Sequence, residues 1–499
     1  MEEWLSIIKD SGCTTLTVVQ SFFIEEHFEG TKTFNRKDNL SRVICFYLFR
    51  IHVPRASLIN YRIETRGGQT IQIHVVQPGE SLWGIAQAYG TTVQNLVTAN
   101  QIPEPGRLVV GQALVIPIWG QFYVVQPGDS LWSIAQRFGV NYLTLAQMNG
   151  INPNALLMIG ARLFIPPIEK TTAEIFAYIE PRGDEVSELL LNQTREANPY
   201  LTYLALFSYE ARRDGTLKAP TIEPLPTVAA EANTSIAMVI TNLEDYQFSS
   251  ELARDILQSV AVQNLLFDNI IKEAKRIGRV SDIHFDFERI PGDQREAYNN
   301  FLRRVVERMH AEGYTVSTAL APKTRADQPG EWFVAHDYKA QGEIVDFVML
   351  MTYEWGYSAG PPMAVSPLPQ VEQVVQYALT EIPAQKILLG QNLYGYDWTL
   401  PFVQGGEYAE AVSPQRAIEL ARRYNAAIQY DYTAQAPYFN YVDEQGRSHV
   451  VWFEDARSIQ AKFNLVKRLN LRGVGYWKLG LPFPQNWLLI GSNFNVVKK

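Results

Sequence analysis

The chain has 499 residues, 46% hydrophobic, 19% charged and 12% aromatic, an ordinary globular composition with room for two or three domains. Its net charge of −8 argues against nucleic acid as a partner, because phosphate recognition needs a dense basic footprint. The only cysteines, Cys13 and Cys45, lie near the start, and the seven histidines show no ligand spacing, so neither a disulfide framework nor a metal or other cofactor is expected.

Residues 1–72 carry little pattern. Met1 is followed by acids, and no apolar run precedes a small-residue cleavage site, so no classical signal peptide is visible. The apolar stretch 43–49 is far shorter than the ~20 residues that span a bilayer, which excludes a membrane anchor there. The expectation is a poorly structured extension that stems from a non-native start.

A repeat follows. Val75-Val76-Gln77-Pro78-Gly79-Glu80-Ser81-Leu82-Trp83 returns 49 positions later as Val124-Val125-Gln126-Pro127-Gly128-Asp129-Ser130-Leu131-Trp132. Leu114-Val115-Ile116-Pro117 likewise returns as Leu163-Phe164-Ile165-Pro166. Self-similarity at a fixed offset means two copies of one supersecondary unit. Each reads strand, helix, helix, strand, with Ser81 or Ser130 as N-cap chemistry and Gly90 or Gly139 closing the first helix. These residues resemble the LysM module, a small α+β unit that binds peptidoglycan and chitin, over 73–118 and 122–167. The resemblance implies a shallow glycan groove near Gly79, Glu80 and Ser81 and near Gly128, Asp129 and Ser130. As turn and cap residues, these six also have a purely structural reading.

Beyond a short linker the pattern changes. Apolar runs at 175–178, 203–207, 236–240, 283–287, 316–320, 347–351, 387–390 and 474–477 alternate with helical stretches such as 251–276 and 295–312. Eight such units predict an α/β fold, a (β/α)8 TIM barrel over 173–492, with chemistry at the C-terminal strand ends. Runs at 427–430, 438–441 and 449–453 around the Asp443-Glu444-Gln445-Gly446 turn predict a small antiparallel β insertion over about 398–455.

In the fourth run, His284, Asp286 and Glu288 alternate with Ile283, Phe285 and Phe287, so the three ionisable groups share the face toward the barrel interior. Buried charges there must pair or take part in chemistry. Met351-Thr352-Tyr353-Glu354-Trp355 and Trp477 stand at two further strand ends. On these motifs the barrel resembles glycoside hydrolase family 18. That resemblance implies a retaining, substrate-assisted hydrolysis with Glu288 as acid, Asp286 holding the substrate acetamido N–H and Tyr353 its carbonyl. It further implies substrate contacts from Trp477, Met351, Glu354, Trp355, Tyr396 and His284. The sequence departs from the family pattern D-x-x-D-x-D-x-E at Ser281 and His284. Two acids there would share a proton, whereas a His and an Asp can form a charge-assisted pair, so the partner and charge state of His284 stay open at this point.

Two LysM modules before such a barrel resemble the spore-cortex N-acetylglucosaminidases of spore-forming bacteria. The expected function is hydrolysis of N-acetylglucosamine bonds in peptidoglycan, by a monomer associated with the spore or cell wall. A chitinase is the alternative with the same machinery; a catalytically inactive glycan-binding protein is the alternative from another class.

Overall fold

The computed structural model describes residues 71–119, 121–126, 128–138, 140–166 and 170–499. The extension expected over 1–72 lies outside the described residues except for Ile71 and Gln72, which already belong to the first strand. Gly139 also lies outside them.

Eight parallel strands close into a barrel: β1 (Thr171–Ile179), β2 (Tyr203–Ala211), β3 (Ser235–Thr241), β4 (Val280–Asp286), β5 (Thr315–Leu320), β6 (Phe347–Leu350), β7 (Ile387–Asn392) and β8 (Gly473–Trp477). Each pairs with its sequence neighbour, and β8 returns to β1 through Val474 opposite Ile175. All eight runs expected from the sequence are barrel strands. β3 is buried at every position, the continuous pattern of a strand covered on both faces.

The alternation along β4 holds. Ile283, Phe285 and Phe287 face the helices, where Phe287 stacks on Tyr298 and Phe301 of the helix Arg295–His310. That helix offers Tyr298, Phe301, Leu302, Val305 and Met309 at helical spacing, which makes one apolar stripe. His284 turns the other way, against Phe176 and Tyr178 in the barrel interior.

The insertion is a five-stranded antiparallel sheet with a helix, Pro414–Arg423, beside it. Its strands are Gly395–Leu400, Glu410–Val412, Gln429–Asp431, Ala436–Val442 and Ser448–Trp452. It begins earlier than 398, because Tyr396 and Trp398 lie in its own first strand rather than at a barrel strand end.

Both repeats fold as β-α-α-β. The first has strands Ile71–Val75 and Ala113–Trp119 around helices Leu82–Tyr89 and Val93–Asn100. The second has Gln121–Val124 and Arg162–Ile165 around Leu131–Phe138 and Tyr142–Met148. Gly90 closes the first helix in the left-handed region, at φ 65°.

The first module is fused to the barrel and insertion. Ile428 N donates to Val110 O at 2.9 Å, Arg457 donates to Gly111 O at 3.2 Å, and Arg422 donates to Arg107 O at 3.0 Å. Gln485 donates to Asn100 Oδ1 and to Ala113 O. At Gly111, φ is +84° and a Cβ would stand 1.9 Å from Ile428 O, so both conformation and close approach require glycine. Among the described residues, no helix is long and apolar enough to cross a membrane.

Candidate active site

Asp286 ends β4, and Glu288 follows two residues later on the same face. Both are buried, at 4% and 6% exposure, and Asp286 Oδ1 and Glu288 Oε2 have no protein hydrogen-bond partner. Buried carboxylate oxygens without partners are rare, because desolvation is then uncompensated. Burial raises the proton affinity of both carboxyls. The charge of Asp286 pushes Glu288 up further, while Arg289 pulls it back. The arrangement favours a protonated Glu288 beside Asp286, with free oxygens directed at whatever enters.

The backbone at Glu288 is gripped by one side chain. Asn242, just past β3 and fully buried, accepts from Glu288 N at 3.0 Å and donates to Glu288 O at 2.9 Å and to Ser249 O at 3.0 Å. His336 bonds the carbonyl of Phe287 at 3.1 Å and accepts from Ala321 N at 2.8 Å. Burial lowers the pKa of His336 to about 4, so this tie is made by the neutral ring.

His284 does not pair with Asp286 but has two hydroxyl partners. Its Nε2 meets Tyr178 Oη at 2.7 Å and its Nδ1 meets Ser317 Oγ at 2.7 Å. Ser317 in turn donates to Asp282 at 2.5 Å, and Thr315 donates to the other Asp282 oxygen at 2.7 Å. His284 has 0% exposure and both nitrogens are engaged, which leaves no polar edge for direct sugar contact. Burial holds its pKa down to about 3 and pushes that of Asp282 up to about 7. The partner the sequence leaves open is therefore a chain Asp282–Ser317–His284–Tyr178 rather than Asp286, because β1 and the adjacent strand β5 each present a hydroxyl to one ring nitrogen.

The remaining expected residues divide into two groups. Tyr353, Tyr394, Tyr396 and Trp477 meet in one apolar cluster, which joins the insertion sheet to the barrel mouth. Tyr353 is close enough to Asp286 and Glu288 to feel both charges. Trp477 is half-buried, edge-on to Tyr178 at 5.4 Å and to Phe207 at 4.9 Å. Glu354, at φ 68°, accepts from both Tyr394 and Tyr396, so its carboxylate ties β6 to the insertion. Met351 is half-buried at the end of β6. Trp355 instead packs partly against the helix-facing core. A β6–β8 arc of the rim thus carries aromatic surface next to two poised carboxyls.

In the repeats, Glu80 accepts from Gln77 N and contacts His74, while Asp129 accepts from Gln126 N and Tyr123 Oη. Ser81 and Ser130 cap their helices by accepting from Gly84 N and Ser133 N. Gly79 and Gly128 sit at φ +81° and +85° in the preceding turns. All six therefore shape the loop, and Gly79, Ser81, Gly128 and Ser130 are also exposed.

Sequence reasoning missed Asn242, Ser317, Tyr178 and the role of Asp282. Asn242 had one available signal: a polar residue just past the apolar run 236–240, at the end where barrels place chemistry.

Comparison with known proteins agrees with this geometry. Residues 178–481 match the family described as glycosyl hydrolases family 18, and 74–117 and 123–166 match the LysM domain. The cortical fragment-lytic enzyme of Bacillus subtilis (strain 168) is 63% identical over 429 residues, 86% of this chain and 99% of that protein. The spore cortex-lytic enzyme SleL of Bacillus megaterium has a crystal structure that superposes with a TM-score of 0.82 at 49% identity, covering 87% of this chain and 100% of that one. A chitinase from Chromobacterium violaceum shares the fold at 23% identity and TM-score 0.57.

Proposed function

The chain belongs to glycosyl hydrolases family 18, and from that premise we propose that it cleaves N-acetylglucosamine bonds in spore-cortex peptidoglycan by a substrate-assisted, retaining route. The observation that carries the reading is the pair of buried, partnerless carboxyl oxygens of Asp286 and Glu288, beside Tyr353 and Trp477.

Glu288, kept protonated by burial and by its acidic neighbour, gives its proton to the glycosidic oxygen as that bond breaks. The acetamido oxygen of the same sugar attacks the anomeric carbon and forms an oxazolinium ion. Asp286 accepts the acetamido N–H and balances the positive charge that develops there. Tyr353 Oη donates to the acetamido oxygen and aligns it, and Trp477 offers an apolar face to the ring. Water then gives a proton to the Glu288 carboxylate and opens the oxazolinium with retention. The protein needs no carboxylate nucleophile because the substrate supplies one.

The identity with cortical fragment-lytic and spore cortex-lytic enzymes supports cortex glycan as substrate and the spore as the place of action. The LysM pair supports retention on a polymer, since two linked weak sites raise the effective concentration of the glycan at the barrel. The enzyme acts as a monomer in this reading. The test is incubation with cortex fragments and, separately, with N-acetylglucosamine oligomers, followed by mass spectrometry. Cortex products ending in reducing N-acetylglucosamine are expected, together with a loss of at least ~100-fold in Glu288→Gln. Binding without cleavage, or cleavage of the chitin-type oligomers alone, would overturn the proposal.

A further inference from the structure

Arg289 is the residue after the proposed acid, and nothing in the mechanism above uses it. Its backbone stands at φ +52°, in the left-handed region that disfavours a side chain. The two flanking carbonyls hold it there: Glu288 O accepts from Asn242, and Arg289 O accepts from Ser250 Oγ at 2.6 Å. Glycine would fit this backbone with less strain, so the presence of arginine calls for a use of its side chain. The guanidinium lies 5.2 Å from the ring centre of Trp332, which is 45% exposed in the loop after β5.

The neighbouring cations are paired. Arg254 binds Asp293, and Arg295 binds Asp337. Among the described residues, the Arg289 guanidinium has no ion-pair or hydrogen-bond partner, although its charge is felt at Glu288. Arg289 and Trp332 also stand on the β4–β5 arc of the rim, whereas Tyr353, Trp477 and the insertion aromatics stand on the β6–β8 arc. A cation stacked on an aromatic face, half-exposed and beside a proton donor, is a ready receptor for a carboxylate.

We propose that Arg289 and Trp332 form a leaving-group subsite that takes an anionic substituent on C3 of the departing sugar. The chemistry of the bond defines the match. The departing sugar leaves through O4, and in a peptidoglycan strand that sugar is N-acetylmuramic acid, with a lactyl ether on the adjacent C3. A carboxylate, either of the lactyl group or of a short peptide stem on it, therefore lies a few bonds from the oxygen that Glu288 protonates. In chitin the same position is a hydroxyl. Arg289 thus favours peptidoglycan over chitin, an inference that rests on the cleavage reading above and gives it a cause for its substrate class.

The test compares wild type with Arg289→Gln and Arg289→Lys on four tetrasaccharides. These are an N-acetylglucosamine tetramer and three peptidoglycan-type tetramers, whose lactyl group is free, methyl-amidated or joined to one alanine. The readout is the ratio of kcat/KM on each acidic tetramer to that on the methyl amide. Arg289→Gln is expected to lower this ratio about tenfold, the size of one charge-assisted contact in a half-exposed setting, and Arg289→Lys to restore part of it. A drop with the free lactyl tetramer assigns the contact to the lactyl carboxylate; a drop with the alanine tetramer alone assigns it to the stem. An unchanged ratio, or one uniform loss across all four substrates, overturns the proposal. Failure of the wild type to cleave any of them would instead overturn the cleavage reading.

Discussion

Asn242 is the residue whose removal tests most directly how Glu288, the proposed acid, is held. Its side chain makes three hydrogen bonds of 2.9–3.0 Å, two to the backbone of Glu288 and one to Ser249 O, at a fully buried position. Asn242→Ala leaves one N–H and two carbonyl groups without that partner. Each unsatisfied buried group costs roughly 1–3 kcal/mol, and water entering the vacated space recovers part of that. A net loss of roughly 3 kcal/mol in unfolding free energy is expected. The catalytic effect is separate: a carboxyl displaced by ~1 Å from its reacting atom costs about 100-fold in rate. The assay is kcat and KM on a peptidoglycan tetrasaccharide, at a temperature where circular dichroism shows both proteins folded. Denaturant unfolding is followed in parallel. Loss in kcat with little change in KM is expected, since the proposed sugar contacts, Tyr353 and Trp477, lie at the ends of other strands. If the variant unfolds within ~0.5 kcal/mol of wild type and keeps kcat within threefold, the backbone clamp is not what positions Glu288.

Proton affinities give two further tests. Burial raises the folded-state pKa of Glu288 above its unfolded value, so its burial carries no charge penalty below about pH 4 and destabilises increasingly as pH rises. Glu288→Gln should therefore melt higher than wild type at pH 7.5, with the gain shrinking toward pH 4; a constant difference across that range would refute the assignment. His284, held down to about pKa 3, stays neutral through the working range, so its ring signals in NMR should not titrate between pH 5 and 8. A titration near pH 6.5 would show that Tyr178 and Ser317 do not enclose it as described. Gly111→Ala should lower stability by roughly 2 kcal/mol, from backbone strain and the contact with Ile428 O. Hydrogen exchange should then quicken in the strand Ala113–Trp119; an unchanged exchange pattern would contradict the fused interface.

The barrel was legible because its signal is local. Each strand is an apolar run of four or more residues, and the face of β4 that carries His284, Asp286 and Glu288 follows from the two-residue period alone. The partner of His284 was not legible, since Tyr178 and Ser317 lie 106 and 33 positions away and reach the ring through the register of strands β1 and β5. Asn242 hid for another reason: its bonds go to backbone atoms, so only its place just past an apolar run marked it. The insertion starts before residue 398 because the chain leaves β7 at Asn392 and enters the sheet strand Gly395–Leu400 after only two residues, too short a connection to show as a break in the sequence pattern. The docking of the first repeat rests on side chains meeting main-chain groups some 300 or more positions away, as Arg422 does at Arg107. No short-range pattern announces such a contact.

The two repeats share a sequence pattern but face different neighbours. Gly111 and Gly160 occupy the same place and the same φ of +84°, yet a Cβ would strike Ile428 only at Gly111 and would meet open space at Gly160. Val109 is 5% exposed in the first copy, whereas its counterpart Met158 is 78% exposed in the second, next to Leu156 at 98% and Ile159 at 68%. The duplication thus supplies its own internal control. One substitution made at both glycines should separate the strain of the turn from the crowding of the interface, because only the first site carries both.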